Sequence, residues 1–419
     1  MNLLYNLGIG TYALAAKIAA TSSHKVDDML RGQKMAFAHI ADTMTARSIN
    51  AFDFWFHAAS LGEFEQARPL IEQIRSDRPD ASILLTFFSP SGYKVRHDYP
   101  LVDCVAYLPF DTPANARRFV ETARPRVAVF IKYEFWGNYL ATLRAHCIPT
   151  YLVSAIFRPS QIFFRPWGGT FRNMLRCYTH IYIQDNDSRN LLHNISVNNT
   201  TVAGDTRFDR VARIAETAPD IPALQNWIKP DDFVIVVGSS WQPDEDRYIP
   251  YINNNPQVKT IIAPHQFDDK RLTLLRQRLT QKTILYSQIK NDGIISDDIR
   301  TIIIDNFGML ASLYKYATVA LIGGGFGAGI HNINEAAAHG APTIFGPNYH
   351  KFKEAKDLLS ASPTPGANTY RTARQLETIL DTYRTDSQLL TAARKTAAQY
   401  IATNKGATAR ILPHLLPST

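Results

Sequence analysis

The sequence predicts an α/β fold made of two Rossmann-like, doubly wound domains that face each other across a cleft. Short apolar runs alternate with helical segments from about Ala51, which predicts a parallel sheet with helices on both faces. The same alternation starts again after a proline-punctuated stretch at residues 217–230, and 419 residues suit two domains of about 200 residues each. Ligands bind at the carboxyl ends of strands in such sheets, so functional residues are expected just after each strand.

The elements follow from hydrophobic patterning, in chain order. In the first domain, strands are predicted at residues 52–57, 82–88, 127–131, 150–153, 180–184 and 200–203, and helices at 65–75, 112–122 and 187–193. In the second domain, strands are predicted at 233–237, 260–263, 283–285, 301–304, 318–322 and 342–345. Helices at 376–383 and 389–402 come next, and a last short helix is expected to end at Pro413. The predicted segments are therefore an N-terminal helical segment (1–40), two domains (41–215 and 216–400) and a C-terminal helix (401–419).

The N-terminal segment is mostly apolar and small from residue 3 to residue 20, interrupted by Asn6 and Lys17. A membrane-spanning helix needs about 20 apolar residues, so the length is borderline. We predict a membrane-associated helix rather than a span; the alternative is an ordinary helix of the first domain. Lys25, Arg31 and Lys34 follow it and would keep the next domain on the cytoplasmic side.

The net charge indicates which class of partner to expect, and the cysteines indicate whether disulfides or a zinc site are expected. The formal charge of +8 favours an anionic partner, which includes a phosphorylated ligand, a nucleic acid or an acidic membrane surface. The three cysteines are widely spaced and belong to no CxxC or Cys/His cluster, so neither a disulfide framework nor a zinc site is indicated.

A glycine-rich segment at residues 322–335 follows a predicted strand and leads into a predicted helix. Glycines bring backbone N–H groups close to a ligand and a helix N-terminus favours anions, so the segment is a candidate nucleotide site. The alternative is a tight turn with no ligand. His331, Asn332 and Glu335 favour the site, and His331 and Glu335, four residues apart, are expected to share a helix face.

Three further segments carry polar residues after predicted strands. Glu63 follows the first strand and is placed like a catalytic base; the alternative is a first-turn carboxylate stabilised by the helix dipole. Glu134 follows the strand at 127–131, where it could orient an acceptor or pair with Lys132. Ser239 and Ser240 could hold a phosphate or carboxylate oxygen; the alternative is a serine N-cap.

Taken together, these segments resemble the 3-deoxy-D-manno-octulosonic acid (Kdo) transferases, membrane-associated glycosyltransferases that move Kdo from CMP-Kdo to a lipid A precursor. The resemblance covers nearly the whole chain, and the order and spacing of its motifs are specific. The motifs are His57-Ala58-Ala59-Ser60-Leu61-Gly62-Glu63, Leu108-Pro109-Phe110-Asp111, Glu134-Phe135-Trp136-Gly137-Asn138, Gly204-Asp205-Thr206-Arg207-Phe208-Asp209, Gly238-Ser239-Ser240, and the glycine segment continued to Gly346-Pro347-Asn348.

The resemblance implies a GT-B architecture, with the acceptor on the first domain, CMP-Kdo on the second, and a C-terminal helix that crosses back to the first. It implies inverting transfer to lipid IVA in lipopolysaccharide core biosynthesis, without metal or cofactor, at the cytoplasmic face of the inner membrane. Glu63 matches the proposed general base. The implied acceptor-binding residues are Ser60, Gly62, Glu134, Arg158 and Arg165. The implied donor-binding residues are Ser239, Ser240, His265, Gly325, Gly327, Gly329, His331, Asn332, Glu335, Asn348 and Lys351.

The chain departs from the family pattern at two places. Lys132 replaces the first carboxylate of a Glu-x-Glu-Leu-Trp-Pro-Asn motif, and Gly137 replaces its proline. His265 stands where relatives carry an arginine, so it is expected to take over an anion contact.

A cluster of arginines and aromatic residues between 157 and 176 is expected to meet headgroup phosphates at the membrane surface. Its composition also suits single-stranded nucleic acid, but no RNA-binding signature accompanies it, and no nucleic-acid partner is expected. The alternative functions are another GT-B nucleotide-sugar enzyme, a UDP-sugar transferase or 2-epimerase, and a non-catalytic lipid or nucleic-acid binding protein.

Overall fold

The computed structural model describes residues 3–289 and 294–416, and the chain divides into two compact units. Unit 1 comprises Met1–Arg210 and Lys405–Thr419, and unit 2 comprises Val211–Asn404. Each unit is built on a seven-stranded sheet in which every strand pair is parallel. The predicted α/β class, with two doubly wound domains, is confirmed.

The strands of unit 1 are β1 (Phe54–Ala58), β2 (Ile83–Phe87), β3 (Cys104–Tyr107), β4 (Val127–Ile131), β5 (Thr150–Ala155), β6 (His180–Ile183) and β7 (Thr200–Val202). Its helices are α1 (Leu3–Ala20), α2 (His24–Ala46), α3 (Leu61–Asp77), α4 (Pro90–Arg96), α5 (Pro113–Ala123), α6 (Gly137–Ala145), α7 (Gly169–Leu175) and α8 (Asn186–His193). The next helix, α9 (Arg207–Glu216), contains the boundary between the units.

The strands of unit 2 are β8 (Val234–Ser240), β9 (Lys259–Pro264), β10 (Thr283–Leu285), β11 (Thr301–Ile303), β12 (Val319–Ile322), β13 (Thr343–Phe345) and β14 (Ala367–Thr369). Its helices are α10 (Pro222–Trp227), α11 (Gln242–Asn254), α12 (Asp269–Arg278), α13 (Leu310–Leu313), α14 (Asn334–Ala338), α15 (Lys353–Leu359), α16 (Ala373–Thr385) and α17 (Ser387–Asn404). The chain then returns to unit 1 with α18 (Ala407–Leu415). Short 3-10 turns lie at Ile162–Phe164, Tyr286–Gln288 and Tyr314–Tyr316.

The strand order in unit 1 is β3-β2-β1-β4-β5-β6-β7, so the order reverses between β1 and β4. In unit 2 it is β10-β11-β9-β8-β12-β13-β14, with the corresponding position between β8 and β12. Ligands of doubly wound sheets bind at such switch points, outside the carboxyl ends of the strands. The segments after β1 and β4, and those after β8 and β12, are therefore the places to seek function in each unit.

Both faces of the unit 1 sheet are covered, as a parallel sheet requires. Successive residues of β1 alternate between two cores: Trp55 packs with Phe130 on one face, and Phe54 and Phe56 pack with Val129 on the other. α2 contributes Phe37, Ile40 and Met44 to the first core, and α18 contributes Ile411 and Leu415 to the second. The C-terminal helix is thus an integral part of unit 1.

The last helix corrects one expectation. It does not end at Pro413 but continues to Leu415, with the proline inside it. Proline in a helix forfeits one backbone hydrogen bond. Leu412 and Leu415 are buried, and their packing holds the final turn in helical form.

The N-terminal helix α1 lies on the surface of unit 1, where Ala16 is its buried residue. By length and composition it could cross a membrane, and it is the one such helix within residues 3–289 and 294–416. Leu3, Leu7 and Ile18 are among its exposed apolar side chains.

Candidate functional site

The carboxyl end of β1 leads directly into α3, which begins at Leu61 rather than at residue 65 as predicted. Ser60 occupies the N-cap position with an extended backbone, and its hydroxyl donates to a carboxylate oxygen of Glu63 instead of accepting a backbone N–H. Glu63 therefore lies in the first turn of α3, where a carboxylate is stabilised by the helix dipole. This position is compatible with both roles weighed for Glu63.

Gly62 is exposed beside this carboxylate. A Cβ added at Gly62 would meet only the Oγ of Ser60 at 3.7 Å, an ordinary contact distance, so no neighbour in unit 1 requires glycine there. The surface above the first turn of α3 is open, which leaves room for a ligand to approach Glu63.

Charged side chains from several strand ends surround Tyr133, which follows β4. Burial raises the pKa of the Tyr133 phenol, and the charges that act on it next are Arg158, Glu63, Arg207 and Asp185. These residues come from the segments that follow β5, β1, β7 and β6. Unit 1 thus gathers a base candidate and two arginines at the carboxyl edge of its sheet.

Glu134 is buried, and one of its carboxylate oxygens is hydrogen-bonded within unit 1. One carboxylate oxygen accepts the indole N–H of Trp136 and lies 3.1 Å from Nε2 of His57, and its backbone carbonyl accepts the hydroxyl of Tyr178. The other ring nitrogen of His57 lies 2.9 Å from Oγ1 of Thr86.

Of the two roles weighed for Glu134, the pairing with Lys132 is wrong, because the carboxylate bonds Trp136 and His57 instead. The Lys132 ammonium instead lies over the Tyr133 ring, 5.3 Å from its centroid. Lys132 has a positive φ of 67°, so β4 ends in a sharp turn that carries Glu134 back into the core.

Asp205 and Arg207, after β7, were part of a quoted motif but were not predicted as site residues. Asp205 is buried and accepts the guanidinium of Arg207 at 2.8 and 3.0 Å and the amide of Gln66 at 3.0 Å. Although burial acts to raise it, the pKa of Asp205 is lowered, chiefly by Arg207. The position of this pair at the end of a strand was the signal that could have identified it.

The segment between residues 157 and 176 matches the expectation only in part. Phe157 and Phe163 are buried in the core, and the Arg172 guanidinium donates to carbonyl oxygens of the same segment. Trp167 is 73% exposed, and Arg158 and Arg165 are exposed as well. The surface available to a ligand or membrane is therefore smaller than the sequence pattern indicated.

In unit 2, the glycine segment forms a compact turn after β12. Gly324 and Gly329 have φ angles of +89° and +144°, which favour glycine. A Cβ at Gly323 would lie 2.2 Å from the Ser239 carbonyl oxygen, and one at Gly325 would lie 2.6 Å from the Gly346 nitrogen. Gly327 is exposed and has no such neighbour. Positive φ angles or close packing thus require glycine at four of these five positions, as the tight-turn alternative expected. Packing does not explain Gly327.

The helix after this segment is shorter and starts later than predicted. α14 has five residues and begins at Asn334, so His331 lies before it and does not share a helix face with Glu335; that expectation is wrong. Asn332 accepts the Asn334 N–H at 3.0 Å and donates to Glu335 at 2.9 Å. The side chain of Asn332 thus supplies hydrogen-bond partners to the first two residues of this short helix.

Three aromatic rings meet at the carboxyl edge of the unit 2 sheet. The Trp241 indole N–H donates to Nε2 of His331 at 3.2 Å. The His265 ring stacks on Trp241 at 4.3 Å and on His331 at 4.7 Å between ring centroids. Burial, followed by the proximity of His265, lowers the pKa of His331. A neutral His331 is what the indole donor requires, because a protonated imidazole has no acceptor nitrogen.

Asp244 joins this ring cluster to the glycine segment, although the sequence analysis did not single it out. Its Oδ2 accepts the N–H of Trp241 at 2.9 Å and of Gly324 at 3.0 Å. Trp241 is the N-cap residue of α11, so the alternative weighed for Ser239 and Ser240, a serine N-cap, is wrong. Pro243 followed by two carboxylates, which is typical of the first turn of a helix, was the available signal.

The remaining predicted donor residues differ in exposure. Ser240 belongs to β8, is buried, and lies 3.3 Å from the Tyr248 hydroxyl, whereas Ser239 is half-buried with a positive φ of 54°. Asn348 donates to the Gly327 carbonyl at 2.8 Å, and Lys351 is exposed nearby in sequence. Within residues 3–289 and 294–416, no group of three or more His, Cys, Asp or Glu side chains could hold a metal ion.

Comparisons with known proteins agree with this architecture. A family model described as "3-Deoxy-D-manno-octulosonic-acid transferase (kdotransferase)" matches residues 29–210. A 3-deoxy-D-manno-octulosonic acid transferase of Rickettsia bellii is 27% identical over 324 residues, covering 75% of this chain and 76% of the relative. One of Aquifex aeolicus is 24% identical over 314 residues, covering 73% of this chain and 79% of the relative.

A solved structure with the same fold is the UDP-GlcNAc 2-epimerase from Neisseria meningitidis bound to UDP-GlcNAc. It is 14% identical, with a TM-score of 0.56, and covers 87% of this chain and 100% of that one. At this identity the likeness concerns the fold alone.

Proposed function

From the premise that the chain belongs to the Kdo transferase family of GT-B glycosyltransferases, we propose that it transfers Kdo from CMP-Kdo to the lipid A precursor lipid IVA, with inversion. The observation that carries the proposal is the placement of Glu63. It lies at the switch point of the unit 1 sheet, held by Ser60 and beside the exposed Gly62, and Arg158 and Arg207 act together with it on the Tyr133 phenol.

Glu63 acts as the general base in this proposal. Its carboxylate accepts the proton of an acceptor hydroxyl while the hydroxyl oxygen forms a bond to the anomeric carbon of Kdo. The bond from that carbon to the phosphate oxygen breaks, and CMP leaves with the bonding electrons. Ser60 orients the carboxylate through its hydroxyl hydrogen bond. A one-step displacement of this kind inverts the anomeric centre and needs no metal ion.

The acceptor is anionic, and unit 1 offers cations to hold it. Arg158 and Arg165 are exposed, and Arg207 is fixed by its two bonds to Asp205. Planar guanidinium groups bind phosphates in a bidentate manner. Glu134 is buried, so we propose that it shapes the acceptor pocket rather than contacting the phosphates.

CMP-Kdo is proposed to bind unit 2 at the end of β8 and β12. The cluster of Trp241, His265 and His331 offers a ring surface, and His265 is its exposed member. Ser239, Asn348, Gly327 and Lys351 are proposed to meet the phosphate. The further donor contacts proposed are Ser240, Asn332, Glu335, Gly325 and Gly329.

We propose that α1 binds the membrane, at the cytoplasmic face of the inner membrane. Its exposed apolar residues Leu3, Leu7 and Ile18 would enter the lipid interface, and Lys17 lies on the same helix. Lys25 and Arg31 on α2 add positive charge suited to an anionic leaflet.

Nucleotide preference tests the proposal against the closest alternative, a UDP-dependent transferase or 2-epimerase. CMP should raise the thermal unfolding temperature of the protein, because a ligand that binds only the folded state stabilises it, and UDP should not. Stabilisation by UDP without CMP would overturn the donor assignment. Transfer unaffected by EDTA would support the metal-independent step, and loss of transfer on chelation would contradict it.

A further inference from the structure

The N-terminus of α6 is capped by two side chains distant in sequence, Asp111 from the loop before α5 and Tyr5 from α1. The amide N–H groups of Asn138 and Tyr139 donate to the two carboxylate oxygens of Asp111 at 3.0 and 2.9 Å. The Gly137 N–H donates instead to the hydroxyl of Tyr5 at 3.1 Å, and that hydroxyl donates to Asp111 at 2.5 Å. One tyrosine hydroxyl therefore completes the set of bonds that starts α6.

Tyr5 belongs to α1, and its neighbour Asn6 makes a second contact to the same place. The side-chain amide of Asn138 donates to Asn6 at 2.9 Å. Burial, reinforced by the nearby Asp111 carboxylate, raises the pKa of Tyr5, so its hydroxyl keeps the proton that it donates. α1 is thus bonded at its N-terminal end to the first turn of α6.

The apolar side chains of α1 differ from Tyr5 and Asn6 in their exposure. Its apolar residues Leu3, Leu7, Leu14 and Ile18 are exposed, while Tyr12 packs its ring against Phe88 and Phe110. The same helix therefore presents apolar side chains outward and polar side chains toward α6.

The first turn of α6 directly follows the segment from Tyr133 to Trp136. This segment carries Tyr133, beside Glu63, and Glu134 with its bonds to Trp136 and His57. Its other end is fixed by β4. Contacts that hold the start of α6 therefore also fix the C-terminal end of this segment.

On the basis of the proposed function, we infer that Tyr5 and Asn6 are positioning residues for the acceptor: α1 fastens segment 133–138 in its binding shape through the start of α6. The helix that meets the membrane would then also complete the acceptor site. Without the Tyr5 hydroxyl, the buried Gly137 N–H loses its acceptor, while the Asp111 oxygen keeps the Asn138 N–H. A buried polar group left unpaired is costly. The segment then samples other conformations, and acceptor binding weakens. Donor binding, which is proposed for unit 2, is untouched.

The test compares Tyr5→Phe with Tyr12→Phe in the full-length protein, assayed in detergent micelles with CMP-Kdo and a tetraacyl lipid A precursor. Tyr5→Phe should raise the KM for the acceptor about tenfold, as expected for one lost buried hydrogen bond, with the KM for CMP-Kdo unchanged. Asn6→Ala should change the acceptor KM in the same direction. Tyr12→Phe, which keeps its ring contacts, should match the parent.

Hydrogen exchange of residues 133–139 gives a readout that does not depend on transfer. The Gly137 amide should exchange faster in Tyr5→Phe than in the parent, since it loses its acceptor. Unchanged exchange together with an unchanged acceptor KM would overturn the inference, as would equal rises in both KM values. A parent protein that never transfers Kdo would refute the proposed function instead, and hydrogen exchange would still decide whether Tyr5 holds this segment.

Discussion

Glu63→Gln separates the two roles that the fold allows for Glu63, a catalytic base and a first-turn helix carboxylate. Glutamine has nearly the same shape but accepts no proton at neutral pH. A positioned general base contributes about 10²–10⁴-fold to a rate, which is about 3–5 kcal/mol of transition-state free energy. We therefore expect kcat for Kdo transfer to fall by that factor, with the affinity for CMP unchanged.

The effect on stability should be much smaller. Glu63 lies in the first turn of α3, and its side-chain partner is the Ser60 hydroxyl, which an amide oxygen still accepts. The interaction of a carboxylate with the helix dipole contributes about 0.3–1 kcal/mol. The free energy of unfolding should thus fall by at most about 1 kcal/mol, and Tm by about 2–4 °C in a domain of this size.

Both quantities are measured on the same preparations, kcat from CMP release and the free energy of unfolding from urea titration. Glu72→Gln is the matched control, since Glu72 lies on α3 and bonds Arg68 at 2.7 Å. It should change neither quantity by much, because i,i+4 ion pairs contribute about 0.5 kcal/mol. If Glu63→Gln keeps more than a tenth of the parent kcat while losing stability, the base assignment is refuted.

Three further variants test other parts of the structure. Glu134→Ala leaves the buried His57 and the half-buried Trp136 without their acceptor and should lower the free energy of unfolding by about 3 kcal/mol in urea titration. The exposed Glu121→Ala should lower it by under about 0.5 kcal/mol, and equal effects would contradict the network. Because the pKa of His331 is lowered in the folded state, the unfolded chain binds more protons below about pH 6.5, so stability is complete above that pH and falls as pH drops. His331→Gln should reduce this acid-induced loss of stability, measured by urea titration between about pH 7 and 5.5, and the exposed His350→Gln should not. If the free energy of unfolding falls with pH equally in the parent and in His331→Gln, His331 is not its source. Asp209→Ala removes the acceptor of the Gly406 and Thr408 N–H groups at the start of α18. The free energy of unfolding should fall by about 1–2 kcal/mol, with CMP affinity unchanged. A loss of CMP affinity would show that these hydrogen bonds do more than hold α18.

The sequence pattern predicted most of the fold because the central strands are continuous apolar runs. The strand predicted at residues 127–131 coincides with β4, and the one at 318–322 overlaps β12 (Val319–Ile322). It missed the edge strands β3 and β14. β14 is Ala367–Thr369, which has no apolar run and owes its form to backbone pairing with β13 alone.

The site was predictable where one residue lies close to a strand end, and not where folding joins distant segments. Glu63 and His331 could be picked out because each lies in the segment that comes after a predicted strand. The bond from Tyr5 to Asp111 spans 106 positions, and the bond from Asp244 to Gly324 spans 80. Nothing local in the sequence indicates such pairs, since only the tertiary fold brings them together.

The glycine segment illustrates the difference between a motif and its role. Its pattern predicted a phosphate site at a helix start, but the helix has five residues and most of the glycines are required by backbone angles or close packing. What remains for a ligand is Gly327 and the neighbouring ring cluster of Trp241, His265 and His331. That cluster was not predictable from any single segment.

The most direct test of the account is mass spectrometry of the products formed by the purified protein from CMP-Kdo and a tetraacyl lipid A precursor. The precursor should gain the mass of one or more Kdo residues, CMP should be released in equal amount, and both products should be lost in Glu63→Gln. An unmodified precursor, in a sample where CMP stabilises the folded protein, would contradict it.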